Sequence, residues 1–290
     1  MARRKILQEL TIKDDFMFGA VMADEENCRE FLERVLGFPI EKVTVSKEKS
    51  LIYHPEYKGI RLDIIAKDEA HTHYNIEMQM VRKPYLGKRS RYYHSQIDMG
   101  LLLSGKGYER LPDTYVIFIC DYDPFGRGKY CYTFENRCKE DESVLLGDGS
   151  KTIFLSTHGT NDDEVSQRLV NFLKYVKAEL NENIEYIEDN FVRKLQSDVR
   201  KIKESREMEE KFMLFQELLR EEREEGKAEG KAEGKADAIL DLLRDLGQEI
   251  PENVQDMILS EKDLEILKRY LKIASKAESI EDFLNKIQAL

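Results

Sequence analysis

The sequence lacks any long apolar segment, any leader-like pattern and any metal-binding pair of cysteines. No run of about 18 apolar residues occurs, so we expect no membrane-spanning helix. The basic residues at positions 3–5 are followed by no apolar stretch, which argues against a signal peptide. The four cysteines form no CxxC pair and match no zinc-binding spacing. We therefore expect reduced, structural thiols and a cytoplasmic location.

Basic charge is also scarce. The chain has 46 Lys and Arg against 57 Asp and Glu, for a net charge of −11. Taken alone, this balance argues against a nucleic-acid partner, because nucleic-acid-binding domains are usually basic, although a local patch matters more at a binding site. His71 and His73 form an HxH pair in a predicted turn. Two ligands without a third make a weak metal site, so solvated turn histidines are the preferred interpretation.

What the sequence does contain is an alternation of helix and strand patterns over its first half. Hydrophobic residues make up 41% and charged residues 36% of the 290, which indicates a globular protein with long solvated helices. Two short helices come first, then strand-like segments, then a helix at Arg89–Ser104. The continuous apolar run Thr114–Asp121 predicts a strand buried on both faces. The other predicted strands are Val43–Val45, Gly59–Ala66, Tyr74–Met80, Tyr130–Glu135 and Lys151–Leu155.

This order predicts an α/β domain over residues 1–160, followed by an all-α C-terminal region. Residues 161–225 read as an amphipathic and charged helical region. Residues 226–235 repeat GKAE, and each glycine opposes helix by about 1 kcal/mol, so we expect a linker or a weak helix. Residues 236–290 read as a small helical module, which we expect to serve packing or self-association, with homo-oligomers formed through these C-terminal helices.

Polar residues interrupt the hairpin RLDIIAKDEAHTHYNIEMQM at residues 61–80. Because strand side chains alternate between faces, matching the apolar faces brings Asp63, Glu77 and Gln79 to one side. Two carboxylates on adjacent strands are hard oxygen ligands that suit Mg²⁺ or Mn²⁺ and leave positions for water and a phosphate. Such an ion can lower the pKa of a bound water. The alternative is a hairpin with one solvent-facing polar side, which antiparallel sheets commonly have.

A cluster of cations follows the hairpin. No acidic residue occurs between Glu77 and Asp98, and tyrosines are interleaved with the cations. A local phosphate-binding surface would have this composition. The alternative is a solvated helix start, but cations at a helix N-terminus are disfavoured by the helix dipole, which favours a functional reason. The predicted DNA-binding residues are Arg82, Lys83, Lys88, Arg89 and Arg91.

These residues resemble a known family. Asp63, the Glu77–Gln79 tripeptide, the early DDFMFGAVM and the later KRSRYYHSQIDMGLLLSGKGYERLPDTYVIFICDYDPFG resemble the Rpn family of recombination-promoting nucleases, also labelled transposases. This family lies within the PD-(D/E)xK nuclease superfamily, and the resemblance covers about residues 8–160. The helical tail with its GKAE repeat also resembles tails of that family, less specifically.

The resemblance implies a mixed sheet flanked by helices and divalent-metal-dependent cleavage of DNA. Asp63 and Glu77 would be the metal-binding acids, and Asp15 in the first helix would add a ligand. Gln79 would occupy the lysine position of the superfamily. A glutamine can orient a water and donate a neutral hydrogen bond, but it brings no positive charge.

Two explanations of the missing charge remain open. Either the metal carries more of the electrostatic load, or a nearby cation such as Lys88 or Arg91 substitutes for the lysine. We prefer the first, because glutamine at this position is itself part of the family resemblance.

We therefore expect a Mg²⁺-dependent endonuclease acting on double-stranded DNA, with Mn²⁺ or Ca²⁺ as other candidate ions. Specificity should be low, because phosphate contacts carry no sequence information. Recombination, mobility of a genetic element and defence would all need this chemistry. The alternative from another class is a non-catalytic DNA-binding or assembly protein on a nuclease-like fold.

Overall fold

The computed structural model describes residues 5–51, 60–102, 104–180, 187–247 and 249–288, and at 47–51, 60–63 and 222 the backbone alone. The chain divides into two compact units, Met1–Glu210 and Lys211–Leu290. The strands are β1 (Val43–Leu51), β2 (Ile60–Asp68), β3 (His73–Gln79), β4 (Thr114–Cys120), β5 (Cys131–Phe134) and β6 (Ser150–Ser156). The helices are α1 (Asp15–Met22), α2 (Glu25–Leu36), α3 (Leu86–Leu101), α4 (Gln167–Lys177), α5 (Asn190–Glu204), α6 (Arg206–Arg244), α7 (Glu252–Ser260), α8 (Leu264–Ala274) and α9 (Ile280–Gln288). None of the helices in these described ranges is long and apolar enough to cross a bilayer.

The six strands form one mixed sheet in the order β1-β2-β3-β4-β6-β5. The neighbours β1–β2, β2–β3 and β5–β6 run antiparallel, whereas β3–β4 and β4–β6 run parallel. Helix α3 connects the parallel strands β3 and β4, as a parallel crossover requires. The predicted α/β architecture, a mixed sheet flanked by helices, is confirmed.

The centre of the sheet is β4, all seven residues of which are buried. On one face, Phe118 and Phe154 pack against Tyr93 and Ile97 of α3. The phenylalanine rings lie 5.0 Å apart in a stacked arrangement. This apolar contact determines where α3 lies across β3 and β4, and therefore which of its side chains reach β3.

Strand β1 is longer than the sequence pattern predicted. It spans Val43–Leu51 and pairs with β2 along its length, beyond the predicted Val43–Val45. The second half of the strand is the polar run SKEKS. Because this run has no alternation of apolar and polar residues, the sequence pattern did not predict a strand there. An edge strand tolerates such residues, because its outer side faces no further strand.

A buried ion pair joins two helices of the first unit. Arg34 of α2 donates two hydrogen bonds to Asp189, both at 2.8 Å, and the Asp189 carboxylate also accepts from the first backbone amides of α5. Burial would raise the pKa of Asp189, but the Arg34 guanidinium holds it below its usual value. Asp189 therefore caps α5 and locks it to α2.

The second unit is entirely helical in the part of the chain described. Its core combines Ile239 and Leu243 of α6 with Ile258, Leu267 and Phe283 from the three following helices. The GKAE repeat lies within α6 as continuous helix. Its side chains are exposed apart from Ala232, which packs into this core, and Lys235, which is partly buried.

Candidate active site

A row of buried polar side chains lies along one face of β3. Asn75, Glu77 and Gln79 alternate with apolar residues, and they are 0%, 1% and 5% exposed. The parallel register pairs Glu77 with Phe118, whose ring faces α3, so the row lies on the α3 side of the sheet. A polar row that is buried needs hydrogen-bond partners, and most of these come from the row itself and from α3.

The Glu77 carboxylate is bound from two sides. Its Oε1 accepts a hydrogen bond from Asn75 Nδ2 at 3.2 Å, and its Oε2 accepts one from Arg89 Nη2 at 2.9 Å. Tyr93 Oη donates to Oε2 at 3.5 Å. A carboxylate this deeply buried requires such partners, because an unpaired charge in the interior is costly.

Arg89 is the cation of this site. It lies in the first turn of α3, and its guanidinium also donates from Nη1 to Gln79 Oε1 at 3.2 Å and from Nε to Tyr93 Oη at 2.5 Å. The guanidinium lies 5.0 Å from the Tyr93 ring centre and 5.9 Å from that of Phe118. Contacts with the two aromatic rings and several directed donors hold the guanidinium in place.

Gln79 therefore has a cation beside it. Sequence reasoning considered Lys88 and Arg91 for this role, and the side chain that reaches Gln79 is Arg89, which lies between them. Gln79 also donates from Nε2 to the backbone carbonyl of Met78 at 2.8 Å. Its amide is thereby oriented with the oxygen toward the guanidinium.

Asp63 lies on β2, whose backbone is described at this position, while its side chain lies outside the described residues. The printed register pairs Ile64 with Ile76 and Ile65 with Asn75. Asp63 is the residue before Ile64, and Glu77 is the residue after Ile76. The predicted convergence of the Asp63 side chain with Glu77 therefore lies outside the described residues.

Asp15 is exposed at the first position of α1, a helix that contacts β2. The segment before it is anchored by Lys13, which is 7% exposed and donates to Asp121 at 3.3 Å and to Glu179 at 2.7 Å. Burial would lower the pKa of the Lys13 ammonium, but these two carboxylates raise it above its usual value. The Asp121 amide in turn donates to the Gln79 carbonyl at 3.0 Å, so α1 begins near the end of β3.

The remaining predicted DNA-binding cations lie at the surface. Arg82, Lys83, Lys88 and Arg91 are all exposed, whereas Arg89 is partly buried against β3. Arg82 donates to the Asp123 carbonyl at 2.6 Å and lies over the Tyr122 ring. The Lys88 ammonium lies 5.3 Å from the exposed Tyr85 ring.

The sequence analysis did not predict that Asn75, Arg89 and Tyr93 bind the Glu77 carboxylate. Two signals were available. Asn75 precedes Glu77 by two residues and so shares its strand face, and Tyr93 follows Arg89 by four and so shares its helix face. Neither signal says that these two faces meet.

The comparison with protein families shows which family this chain belongs to. Residues 12–239 match the family described as PD-(D/E)XK nuclease family transposase. The chain belongs to this family. The match extends past the resemblance at residues 8–160 and includes α4, α5 and most of α6. No curated protein and no solved structure matches the chain.

Nucleases of the PD-(D/E)XK type typically use divalent metals. The side chains that the structure describes contain no group of three or more His, Cys, Asp or Glu residues arranged to hold such an ion. The oxygen chemistry of the β3 row nevertheless fits a hard cation, because Glu77 offers a carboxylate and Gln79 and Asn75 offer amide oxygens. A metal at Glu77 would compete with Arg89 for Oε2.

Proposed function

We propose that this PD-(D/E)XK family protein is a metal-dependent endonuclease that hydrolyses phosphodiester bonds of double-stranded DNA. The observation that carries the proposal is the Glu77–Arg89–Gln79 cluster. A buried carboxylate and an oriented amide on β3 meet a fixed guanidinium from α3. A fold alone needs no such polar cluster in a strand, since apolar residues would fill the same space at lower cost.

In this proposal Asp63 and Glu77 hold Mg²⁺, or Mn²⁺ or Ca²⁺ in its place, and Asp15 adds a ligand from α1. When bound, the ion supplies a water of lowered pKa and positive charge for the phosphate. The backbone register supports this pairing, because Ile64 of β2 pairs with Ile76 of β3, and Asp63 and Glu77 are their respective chain neighbours.

Gln79 orients the attacking water. Its Oε1 accepts one hydrogen bond from Arg89, and a carbonyl oxygen has a second lone pair that can accept from water. Arg89 supplies the positive charge that the glutamine lacks. A guanidinium remains protonated throughout the accessible pH range, so this charge does not depend on a shifted pKa.

The exposed cations beside the site hold the DNA backbone. Arg82, Lys83, Lys88 and Arg91 contact phosphates in this proposal, which predicts low sequence specificity and binding that weakens with salt. Cleaved DNA ends are substrates for recombination or for movement of a mobile element, and we propose that the activity serves one of these.

Nicking of supercoiled plasmid with and without Mg²⁺ tests the proposal. Wild-type protein should convert supercoiled to open-circular DNA only with the metal, and Asp63→Ala should abolish conversion. Asp163→Ala is the matched control, because Asp163 is an exposed acid in the short 3₁₀ helix Asp162–Glu164. Equal nicking by Asp63→Ala and wild type would remove the site assignment.

A non-catalytic DNA-binding or assembly protein is the second candidate. It is favoured by the ion pair itself, because Arg89 already neutralises the carboxylate that a metal would need. It predicts salt-sensitive DNA binding by the wild type, with no nicking at any concentration of Mg²⁺ or Mn²⁺.

A further inference from the structure

Exposed aromatic rings and cations lie together beside the start of α3. The side chains of Tyr85, Phe125 and Phe134 are 73%, 43% and 46% exposed. Large apolar side chains exposed singly are normal, whereas a contiguous exposed group of them marks an interaction site. We call this group, with the cations among it, the aromatic–basic surface, and its residues are Arg82, Tyr85, Lys88, Phe125, Arg127 and Phe134.

Two contacts make the aromatic–basic surface continuous. Arg82 donates to the Asp123 carbonyl at 2.6 Å, which joins the segment before α3 to the turn that carries Phe125 and Arg127. The ring centres of Phe125 and Phe134 lie 5.1 Å apart. The surface therefore extends from the start of α3 to the edge strand β5.

The turn that presents Phe125 is fixed by the Asp123 carboxylate. Its Oδ1 accepts from the backbone amides of Phe125 and Gly126 at 3.0 and 2.9 Å and from Tyr132 Oη at 2.7 Å. Its Oδ2 accepts from the Gly128 amide at 2.7 Å. These partners are uncharged groups of the turn and of β5, so the carboxylate is used to hold the turn.

The cations of the aromatic–basic surface are available to an anionic ligand. Arg82, Lys88 and Arg127 form no ion pair with an acid in the described part of the chain. The Lys88 ammonium lies 5.3 Å from the centre of the Tyr85 ring. Because Asp123 is one acid against three cations, the surface keeps a positive charge that attracts phosphates.

The backbone of Tyr85 indicates that its exposed ring has a function. Its φ is +65°, a left-handed conformation that bulky residues rarely adopt and that glycine adopts at lower cost. Strained residues of this kind cluster at ligand-binding sites. The Tyr85 carbonyl accepts from the Arg89 amide at 3.0 Å, so the ring belongs to a residue one helical turn from the candidate active site.

Phe125 also lies close enough to the candidate active site to share one DNA molecule with it. Successive contacts lead from the Arg89 guanidinium to Phe118 at 5.9 Å, then to Phe154 at 5.0 Å, then to Phe125 at 5.1 Å. The guanidinium and the Phe125 ring are therefore at most about 16 Å apart. This distance corresponds to roughly five nucleotides of a strand at ~3.4 Å each.

Rings interleaved with cations match a single strand of DNA. Unpaired bases expose faces that stack on aromatic side chains, while cations hold the phosphates between them. A duplex hides these faces, and its backbone requires only the cations. A protein partner is less suitable, because the centre of a protein–protein interface is depleted of charged residues.

We propose that the aromatic–basic surface binds unpaired bases of DNA, which stack on Tyr85 and Phe125. The cations of the surface hold the intervening phosphates. The inference rests on the proposed nuclease function in one respect, namely that the unpaired stretch adjoins the bond to be cleaved. The protein then prefers DNA with a single-stranded region over fully paired DNA, and binding requires neither metal nor cleavage.

Fluorescence anisotropy in EDTA measures the affinity for a labelled oligo(dT) strand and for a duplex with the same label. Phe125→Leu keeps an apolar side chain against Phe154 but removes the ring. It should weaken single-strand binding about tenfold, or about 1.4 kcal/mol, which lies in the range measured for base stacking. Duplex binding should change less than about twofold, because duplex contacts are made by cations. Phe38→Leu is the matched control, because Phe38 is 45% exposed and lies in the loop after α2, outside the surface.

Tyr85→Gly removes the other ring. Because glycine adopts the left-handed backbone without strain, this variant should fold, which circular dichroism establishes. Single-strand binding should weaken at least about fivefold. Tyr108→Ala is the control, since Tyr108 is 83% exposed and lies outside the surface. Unchanged single-strand affinity in both Phe125→Leu and Tyr85→Gly would overturn the proposal.

A tryptophan at position 125 reports stacking directly. The chain contains no tryptophan, so Phe125→Trp introduces a single indole at the surface. Oligo(dT) should bind this variant as tightly as wild type and should quench its emission, because a base stacks on the indole. Phe38→Trp should keep its emission. Quenching of equal size in the two variants, or in neither, would contradict stacking at this surface.

These measurements also separate the surface from the nuclease function. A protein that binds oligo(dT) with quenching but never nicks plasmid would refute the nuclease function and support the surface assignment. Normal nicking by Phe125→Leu, together with unchanged single-strand affinity, would do the reverse. Self-association in analytical ultracentrifugation that is lost in Phe125→Leu, with DNA affinity unchanged, would assign the surface to a protein contact and overturn the proposal.

Discussion

The Arg89 guanidinium donates to the Glu77 carboxylate at 2.9 Å, which links the first turn of α3 to the middle of β3. Glu77 is 1% exposed and Arg89 29%. The same guanidinium contacts Gln79, so one cation serves both polar residues. Several consequences of this contact can be measured on the purified protein.

Arg89→Ala should lower the free energy of unfolding by about 2 kcal/mol, because Glu77 remains buried without its cation. Removal of one partner of a fully buried ion pair costs more, ~3–5 kcal/mol. The expected loss is smaller here because Arg89 is partly exposed. Urea unfolding followed by circular dichroism measures the loss. Arg91→Ala, two residues along the same helix and exposed, should change stability by no more than about 0.5 kcal/mol. A loss of equal size in both variants would show that the contact with Glu77 does not contribute to the free energy of unfolding.

Gln79→Lys should be destabilising, although the family resemblance implies a lysine at this position in the superfamily. The new ammonium would lie beside the guanidinium that now contacts the glutamine, and the repulsion should cost about 1–2 kcal/mol after partial compensation by Glu77. Adding Arg89→Gln should recover most of the loss, because one cation then remains beside the carboxylate. A double-mutant cycle in urea gives the coupling energy. Additive effects of the two changes would contradict this account.

Stability should fall between pH 6.5 and about pH 4 because of His94. This side chain is buried between the hydroxyls of Thr114 and Thr152, and burial lowers its pKa to about 4. The unfolded chain takes up the proton near pH 6.5, while the folded chain resists it, so acid favours unfolding across this window. From pH 7 to pH 5 the loss should be about 2 kcal/mol.

Urea unfolding at pH 7 and pH 5 measures this dependence, with His94→Gln as the comparison. The variant should be less stable at pH 7 but should lose about 2 kcal/mol less than wild type on acidification. The carboxylates with lowered pKa values contribute equally to both proteins and cancel in the difference. An identical pH dependence in the two proteins would remove His94 as the cause.

The glycines of the GKAE repeat should be replaceable with a gain in stability. Gly226, Gly230 and Gly234 are helical, and an added Cβ at each would meet no atom within 4 Å. Replacement of all three by alanine should stabilise the second unit by about 2 kcal/mol. Hydrogen exchange measured by mass spectrometry on peptides from α6 should slow accordingly.

Gly247→Ala provides the opposing control in the same unit. Gly247 has a φ of +71°, which costs a residue with a Cβ roughly 1 kcal/mol. Exchange in the second unit should therefore become faster. Slower exchange in this control, or faster exchange in the triple variant, would contradict the conformational argument.

The sequence by itself determined the local elements and the faces of the hairpin. The apolar run of β4 marks the centre of the sheet, and strand alternation places Glu77 and Gln79 on one face without any knowledge of the fold. The Glu77–Gln79 tripeptide, which carries part of the family resemblance, was also readable, because it is short and contiguous. These features depend only on periodicity, which neighbouring residues specify.

The tertiary structure decided which cation meets Glu77 and Gln79. Lys88, Arg89 and Arg91 are equivalent in sequence terms, yet only the rotation and position of α3 bring Arg89 onto Glu77. That rotation follows from Tyr93 and Ile97 packing on Phe118, a residue more than twenty positions further along the chain. Asn75 Oδ1 has no hydrogen-bond partner among the described residues, which is also a consequence of packing. Periodicity predicts the face of a side chain and not the partners that it meets there.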